Sequence, residues 1–367
     1  MLLIKTSRES LLGPLQAVAG IVERRHTLPI LSNVLIEKRG SALTFLATDI
    51  EIQVRTSAPA SGGEDGSVTV GARKFQDILR SLADGCEVSV SIEDKRLQIR
   101  SGKSRFNLQT LPADDFPRMS LNRDQVRRIE LSQKALRSLF AQTQYAMASQ
   151  DVRYYLNGLL LLVEERALKA VATDGHRLAY ASLEANVEGE RQEVILPRKT
   201  VLELNRLLAD VDEPVVIEMG TAQVRFLFGD VELVSKIIDG KFPDYGRVIP
   251  TVSRNVLTIE RAPLQQAMSR AAILSNEKFR GVRLVLGENV LRLVAANAEQ
   301  EEAQEEIEVT YSGEALDIGF NVGYLLDVMA NVGSEKLQWM FNDANSSALM
   351  MIPGNDAFKY VVMPMRI

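Results

Sequence analysis

Apolar and polar residues alternate in a pattern that occurs three times along the chain, at intervals of roughly 125 residues. Residues 33–49, 157–174 and 281–297 each hold an apolar run, a short turn and a second apolar run. The first two stretches end on Thr-Asp, whereas the third ends on Ala-Asn. This repetition predicts a tandem architecture of three similar modules, over residues 1–122, 123–252 and 253–367.

Each copy opens with apolar residues at the spacing of an α-helix. In the first copy Pro14 predicts an early turn or a helix start nearby, because proline suits the beginning of a helix. Ser132 is a plausible N-cap of the matching helix in the second copy, and Pro263 suits the first turn of the helix in the third. A second amphipathic helix is predicted later in each copy, beginning near Arg73, Arg198 and Asn321.

Short alternating segments follow the helices, as at residues 87–92 and 224–228. The turns between such segments are short, which favours antiparallel pairing. The pattern therefore predicts an α+β fold in which each module has two helices and roughly eight strands in antiparallel sheets.

Composition limits the classes of protein that fit. A chain of 367 residues with 46% apolar content can bury two or three cores of ordinary size. No apolar run approaches the ~18 to 20 residues of a membrane span, and the start of the chain lacks a signal-peptide plan, so we expect a cytoplasmic protein with no membrane partner. The single cysteine, Cys86, excludes an internal disulfide framework and a cysteine-cluster metal site. We expect no metal and no cofactor.

Common enzyme signatures are absent from the sequence. The chain has no GxxxxGK[ST] phosphate loop, no GxGxxG after a strand and no GxSxG elbow. Asp174 and His176 lie two residues apart and form the strongest candidate for acid–base chemistry. However, Thr173-Asp174 repeats Thr48-Asp49, which favours a turn that belongs to the module. We therefore expect no catalytic residue; an enzyme that uses Asp174 and His176 stays open as an alternative.

Four segments resemble the bacterial DNA polymerase III beta subunits, the family of replication sliding clamps. They are residues 150–158, 172–178, 272–281 and 360–366. The resemblance covers the whole chain and implies three DNA-clamp domains, with two subunits that meet head to tail in a dimeric ring. It implies a non-catalytic processivity subunit that encircles duplex DNA without sequence preference. The implied partners are the polymerase III alpha subunit, the clamp loader and other polymerases or repair proteins that carry short linear motifs.

The net charge of −5 has the wrong sign for a simple DNA-binding protein, but local basic clusters can still attract phosphates. The resemblance implies contacts with DNA at Arg25, Arg73, Gln150, Tyr154 and Tyr155. Ser149 stands where the family has a histidine.

The resemblance also implies a groove for partner peptides, formed by the second module and the C-terminal end. Methionine side chains near that end suit a surface that accepts several ligands. The implied lining is Leu156, Thr173, Gly175, His176, Arg177, Leu178, Pro243, Arg247, Val248, Asn321, Tyr324, Ser347, Val361, Met363, Pro364, Met365 and Arg366. Gly246 replaces a basic residue of the family.

Two segments carry opposite charge, and complementary ends of this kind allow head-to-tail closure of copies; a solvated acidic edge stays open as the other interpretation. Glutamates are concentrated in residues 299–308, whereas basic and apolar residues lie near the end of the first module. The resemblance places these surfaces against each other, with Ile273 and Leu274 as apolar contacts and Ala298 at a position where the family commonly has proline. The implied interface residues are Lys74, Arg96, Lys103, Arg105, Phe106, Leu108, Ile273, Leu274, Glu299, Glu301, Glu302, Glu305 and Glu306. A protein-only scaffold built from three modules stays open as a second alternative.

Overall fold

Two helices and eight strands recur three times in the part of the chain that the structure describes. The structure is a computed structural model that describes residues 1–23, 27–120, 126–185, 187, 190–251 and 255–367. Both predicted module boundaries, at 122/123 and 252/253, fall outside these described residues. The chain divides into two compact units, one of residues 1–136 with 202–237 and the other of residues 137–201 with 238–367.

The first set of elements is β1 (Leu2–Ser7), α1 (Arg8–Ala19), β2 (Asn33–Arg39), β3 (Ala42–Thr48), β4 (Ile52–Pro59), β5 (Gly66–Gly71), α2 (Ala72–Ser81), β6 (Glu87–Glu93), β7 (Arg96–Ser101) and β8 (Ser104–Leu111). The second set is β9 (Arg127–Ser132), α3 (Gln133–Ala141), β10 (Gly158–Glu164), β11 (Ala167–Thr173), β12 (Arg177–Glu184), β13 (Gln192–Pro197), α4 (Arg198–Leu207), β14 (Pro214–Met219), β15 (Gln223–Phe228) and β16 (Val231–Lys236). The third set is β17 (Asn255–Glu260), α5 (Arg261–Ala271), β18 (Gly281–Gly287), β19 (Val290–Ala296), β20 (Glu302–Glu308), β21 (Leu316–Asn321), α6 (Val322–Asn331), β22 (Lys336–Phe341), β23 (Ala348–Ile352) and β24 (Asn355–Val362). Short 3-10 helices lie at Pro29–Ser32, Ala113–Asp115, Gln144–Ala146, Tyr154–Leu156, Tyr245–Arg247 and Ala272–Leu274.

Every set arranges its strands in the same two groups. In one group of four hydrogen-bonded strands the order is first, sixth, seventh and eighth, as in β1-β6-β7-β8. In the other group the order is fifth, second, third and fourth, as in β5-β2-β3-β4. The fourth strand of one set then pairs with the eighth strand of the next, because β4 pairs with β16 and β12 pairs with β24, both antiparallel. The predicted antiparallel α+β modules are thus confirmed.

Buried side chains explain why these segments form strands. β14 and β22 alternate exposed or half-buried residues with buried ones, as expected of strands with one face on a core. β10 is buried over nearly its whole length, because the segment after residue 237 covers its second face. Phe242 from that segment joins Leu160, Leu162 and Ile195 in one apolar cluster.

The prediction for Pro14 is wrong. Pro14 was expected to mark an early turn or a helix start, but it lies inside α1, which begins at Arg8 after the N-cap Ser7. The helix continues through the proline because Leu11, Leu15 and Val18 bury its apolar face, and this packing outweighs the missing backbone donor. The Thr56 hydroxyl donates to the Pro14 carbonyl at 3.1 Å. Ser132 does cap α3, because its Oγ accepts from the Ala135 N–H at 3.2 Å.

The Thr-Asp pair forms the same turn in the first and second sets. The Asp49 carboxylate accepts from the N–H groups of Glu51 and Ile52, at 2.9 and 2.7 Å. The Asp174 carboxylate likewise accepts from the N–H groups of His176 and Arg177, at 2.9 and 3.0 Å. Asn297 in the third set accepts from the N–H groups of Glu299 and Glu301, two and four positions later, at 3.1 and 2.9 Å. The prediction of a turn that belongs to the module is confirmed, and it explains why Asp or Asn recurs at this position.

None of the helices within the described ranges has the length and apolar character that crossing a membrane requires.

We expect Gly20→Ala to lower the free energy of unfolding by about 1 to 3 kcal/mol, because an added Cβ overlaps a fixed ion pair. That Cβ would lie 2.5 Å from Nη2 of Arg206 and would also clash with the carboxylate of Glu203, a buried residue. Arg206 binds Glu203 at 2.6 Å and donates to the Ala17 carbonyl at 2.9 Å, so both contacts must shift. Urea unfolding measures the change.

The matched control is Gly13→Ala inside α1, the helix that Gly20 caps at its C-terminus. An added Cβ at Gly13 meets no atom within 4 Å, so the helix should gain about 0.5 to 1 kcal/mol. Equal unfolding midpoints for the two variants would contradict the proposed overlap.

Candidate functional site

Arg177 connects three segments of the second unit: its own turn, helix α6 and the 3-10 helix that contains Tyr145. Its Nε donates to Asp174 at 3.1 Å, its Nη1 to Asp327 at 2.6 Å and its Nη2 to the Tyr145 carbonyl at 2.6 Å. The guanidinium also lies over the Tyr324 ring, 4.3 Å from the ring centre. Only 10% of the side chain is exposed. The planar, five-donor guanidinium suits this position, since a lysine ammonium cannot donate in three fixed directions while it stacks on a ring.

Neighbouring groups keep Arg177 charged although it is largely buried. Burial alone would lower the pKa of Arg177, but Tyr360, Asp327 and Asp174 together raise it above the ordinary value. Burial also raises the pKa of Tyr360, whose hydroxyl donates to the Tyr324 carbonyl at 2.9 Å. The cluster therefore holds a permanent cation beside neutral phenols.

Leu178 and Val361 form the apolar floor beside this cluster. They face each other across the β12–β24 pair and belong to one cluster with Leu349 and Phe242. Their exposed fractions are 2% and 1%, whereas Val248 and Met363 are 45% and 48% exposed. The resemblance placed all four in one groove lining. The structure separates a buried floor from two exposed residues.

The C-terminal segment is fixed along this floor by two backbone hydrogen bonds. The N–H of Met363 donates to the His176 carbonyl at 2.9 Å, and the N–H of Met365 donates to the Gly319 carbonyl at 2.8 Å. Asn321 ends β21 and caps α6 by accepting from the next N–H groups, which orients Tyr324. The predicted groove residues at 173–178, 321–324 and 361–365 are therefore close in space although they are distant in sequence.

The remaining predicted groove residues also lie in the second unit. Leu156 is buried, Pro243 is exposed, Pro364 and Ser347 are half-buried, and Arg366 is exposed. Arg247 is highly exposed and pairs with Asp244 at 2.9 Å.

Residues 150–157 form a tight loop that adjoins the same site. The Asn157 side chain accepts from the Asp151 N–H at 2.9 Å and donates to the Asp151 carbonyl at 2.8 Å. Tyr154 is 57% exposed, whereas Tyr155 is half-buried and packs on the apolar floor cluster. The loop therefore presents one tyrosine to solvent and one to the groove floor, which separates two residues that the sequence assigned to DNA together.

Arg153 is a functional candidate that the sequence analysis missed. Its guanidinium donates to Asp151 at 3.0 and 2.8 Å and to the Asp174 carbonyl at 3.2 Å. The side-chain hydrogen bond from Arg153 lowers the pKa of Asp151 to about 2, so the pair is ionised at neutral pH. Arg153 also lies over Gly175, where φ is +89°. The segment 150–158 contained this arginine, but only its contact with a turn distant in sequence identifies it.

The predicted DNA contacts in the first unit are partly described. Arg25 lies outside the described residues. Arg73 is exposed on α2, donates to the Val22 carbonyl at 3.2 Å and lines a polar cavity of about 400 Å³. Arg80 and Arg206 line the same cavity, and the sequence analysis selected neither. Three guanidinium groups around one cavity are suited to bind anionic oxygens.

The predicted basic segment borders an open sheet edge. β8 pairs with β7 along its length, but on its other side it pairs with β5 only at residues 110 and 111. Lys74, Arg96, Lys103 and Arg105 are exposed, and Phe106 and Leu108 are half-buried. Residues 104–109 therefore keep unpaired backbone groups on one side, which can bind another strand.

The predicted acidic segment borders the second open edge. β20 is the outer strand of a four-stranded sheet and pairs only with β19. Glu299, Glu301 and Glu302 are exposed. Glu305 and Glu306 already pair within the chain, with Arg270 at 2.6 Å and Arg292 at 2.8 Å. The sequence treated all five carboxylates as available to a partner, and these two ion pairs reduce that charge.

Ile273 is the most exposed residue of the predicted apolar contact. It lies in the 3-10 turn that follows α5 and is 77% exposed, while Leu274 is half-buried. Among the described residues, no group of His, Cys, Asp and Glu side chains could hold a metal ion.

The whole chain matches one protein family. Models of the DNA polymerase III beta subunit match its N-terminal domain at residues 2–120, its central domain at 130–244 and its C-terminal domain at 246–366. The chain is 49% identical to the beta sliding clamp of Pseudomonas putida KT2440 and 46% identical to that of Escherichia coli K12, over 98% of each chain.

Solved structures agree with this match. A DnaN sliding clamp from Pseudomonas aeruginosa bound to griselimycin has a TM-score of 0.96 at 47% identity, over 100% of both chains. A DnaN sliding clamp from Bartonella birtlesii bound to griselimycin has a TM-score of 0.95 at 38% identity, also over 100% of both chains.

We expect Arg177→Lys to lower the free energy of unfolding by about 2 kcal/mol, because lysine loses two of the three directed contacts and the ring stacking. The matched control is Arg247→Lys, which changes an arginine that is 86% exposed and should cost less than about 0.5 kcal/mol. Urea unfolding compares both with the parent protein. Equal losses in the two variants would show that the contacts of Arg177 do not stabilise the site.

Proposed function

Because the chain belongs to the DNA polymerase III beta subunit family, we propose that its copies join head to tail into a dimeric ring through two open sheet edges. A sliding clamp of this family encircles duplex DNA and tethers the replicative polymerase, which confers processivity without catalysis. The observation that carries the ring proposal is the pairing rule between successive sets of strands.

This pairing rule leaves one strand without such a partner in the first set and one in the third set. The fourth strand of the first set pairs with the eighth strand of the second, and the fourth strand of the second pairs with the eighth strand of the third. β20 is the fourth strand of the last set, and β8 is the eighth strand of the first. The same antiparallel pairing between two copies would join β20 to β8 of a neighbour, and repetition of a head-to-tail contact closes a ring.

Charge and apolar contacts support this pairing. Lys103 and Arg105 on or beside β8 are exposed cations, and Glu301 and Glu302 at the start of β20 are exposed anions. Such complementarity fixes the direction of approach more than it adds affinity. Ile273 supplies the apolar contact that a stable interface requires, because it is largely exposed in the single chain.

We propose that DNA inside the ring is held by weak phosphate contacts. The candidate residues are Arg25, Arg73, Gln150 and Tyr154, to which the cavity position of Arg80 adds one cation, because Arg206 in the same cavity is paired with Glu203. Tyr155 is a weaker candidate because it packs on the groove floor. Contacts to phosphates carry no sequence information, so the ring can move along DNA.

We propose that the groove of the second unit binds short linear motifs of the polymerase III alpha subunit, the clamp loader and other polymerases or repair proteins in the cytoplasm. Exposed Met363 beside the buried Leu178 and Val361 provides apolar surface next to the fixed Arg177 cation, and Val248 is a second exposed apolar residue of the predicted lining. A few apolar anchors and convergent polar groups are typical of peptide sites.

The enzyme alternative has little support from the geometry around Asp174 and His176. The Asp174 carboxylate accepts from the His176 and Arg177 N–H groups and from Arg177 Nε, so the turn uses its oxygens. Asp49 forms the same turn beside Ile50 and Glu51, without a histidine. The repeated contact is structural.

We expect Ile273→Ala with Leu274→Ala to convert the dimer mainly to monomer, because large-to-small changes at a packed apolar contact cost roughly 2 to 5 kcal/mol. Sedimentation across a dilution series measures the mass. The matched control is Ile50→Ala, which shortens another exposed isoleucine and should leave the dimer intact. A dimer that persists in the double variant at every dilution would exclude this contact from the interface.

We expect the loaded protein to stay on nicked circular DNA at high salt and to leave once that DNA is linearised. A closed ring resists salt until it opens, whereas simple phosphate attraction falls steeply with salt. Gel filtration of labelled protein with each DNA form measures retention. Equal retention on circular and linear DNA would favour an ordinary binding protein, and no retention on either would favour the protein-only scaffold.

A further inference from the structure

We propose that Arg153 links the peptide groove to DNA binding: a peptide that reaches Gly175 displaces the Arg153 guanidinium, which then contacts a DNA phosphate. This inference rests on the proposed groove and ring. It adds one residue, Arg153, that belongs to both the peptide groove and the DNA-binding surface.

On the groove side, Arg153 occupies the space over Gly175. A Cβ at Gly175 would lie 2.9 Å from both Nη1 and Nη2 of Arg153. The same guanidinium donates to the carbonyl of Asp174. Since Gly175 and His176 are predicted to line the groove, a peptide side chain that approaches Gly175 meets the Arg153 side chain first.

On the other side, Arg153 belongs to a loop whose neighbouring side chains face solvent. Val152 is 95% exposed, and Tyr154 and Gln150 are also exposed. Gln150 and Tyr154 are the exposed members of the three predicted DNA contacts in this loop. An arginine that leaves Gly175 therefore enters the region where these two residues would meet DNA.

The loop backbone is held more firmly than the Arg153 side chain, although that side chain also binds Asp151 and the Asp174 carbonyl. The reciprocal hydrogen bonds between Asp151 and Asn157 fix the loop, as does the Leu156 N–H, which donates to the Arg153 carbonyl at 2.8 Å. By contrast, the Arg153 side chain is 45% exposed and pairs with a carboxylate two residues away. Exposed pairs of this kind contribute little stability, so a bound peptide can break the contact.

Charge gives the direction of the coupling. While Arg153 binds Asp151, the carboxylate takes up two of its donors. Once released, the longer arginine side chain reaches further from the loop than the aspartate does, and a guanidinium binds phosphate oxygens with two parallel N–H groups. Asp151 stays in place because it still accepts from the Arg153 backbone N–H at 2.8 Å. Peptide binding should therefore strengthen DNA binding, and the coupling must be reciprocal.

Fluorescence anisotropy tests this with the full-length protein and a short labelled duplex that carries a single-stranded overhang. The titration is run over a series of salt concentrations, with and without a saturating peptide that contains one glutamine and a pair of leucines. We expect the peptide to tighten DNA binding about 5-fold. It should also steepen the slope of log affinity against log salt by about 0.9, the value for one added phosphate contact.

Three variants separate this role from a general effect on folding. Arg153→Ala should still bind the peptide but lose both the affinity gain and the added slope. Arg153→Lys should keep the added slope, because a cation remains. The matched control Arg39→Ala removes another exposed, paired arginine and should keep both effects.

An unchanged salt slope in the parent protein with peptide bound, or an added slope that survives in Arg153→Ala, would overturn the inference alone. Absence of peptide binding in the parent protein would overturn the proposed groove, absence of binding to the duplex would overturn the proposed phosphate contacts, and this inference falls with either.

Discussion

An open edge of a β-sheet exposes unpaired backbone N–H and C=O groups. In this chain, hydrogen bonds between such edge strands join one set of strands to the next. β4 finds its partner in β16 and β12 finds its partner in β24, so each joint between sets is a continuous sheet. Strands β8 and β20 keep an open edge. They are the eighth strand of the first set and the fourth strand of the last set, and the eighth and fourth strands are the ones that pair at the two joints. The proposed assembly of copies would use the same pairing that joins the sets within one chain, with Ile273 as an added apolar contact.

The candidate groove is a consequence of the β12–β24 joint. Pairing of Arg177 with Val362 and of Leu178 with Val361 brings the Thr-Asp turn against the C-terminal segment. Arg177 then reaches Asp327 on α6, and the two buried apolar residues form the floor. Since the first and third sets carry the same turn with different side chains, the turn supplies only the geometry. The residues around it make the second copy suitable for a peptide.

The sequence predicted features that depend on local chemistry. Strand alternation, the Ser132 cap and the Thr-Asp turn involve residues a few positions apart, and all three are present. It failed where distant segments decide the outcome. Pro14 is carried inside a helix by core packing, and Glu305 is paired by Arg270. Arg177 and Asp327 are 150 positions apart, and Arg153 meets Gly175 only in the folded chain, so no spacing could have indicated either contact.

The negative net charge is compatible with a ring on DNA. Topology holds such a ring, so phosphate contacts need to centre the duplex without stopping its movement. A strongly basic surface would add a contact for each cation and slow release. Here many arginines are already paired within the chain, as Arg206 is with Glu203 and Arg153 is with Asp151. Such pairs keep the attraction between the chain and DNA phosphates weak. If a bound partner breaks one of these ion pairs, as proposed for Arg153, the released arginine can bind a phosphate and raise the affinity for DNA.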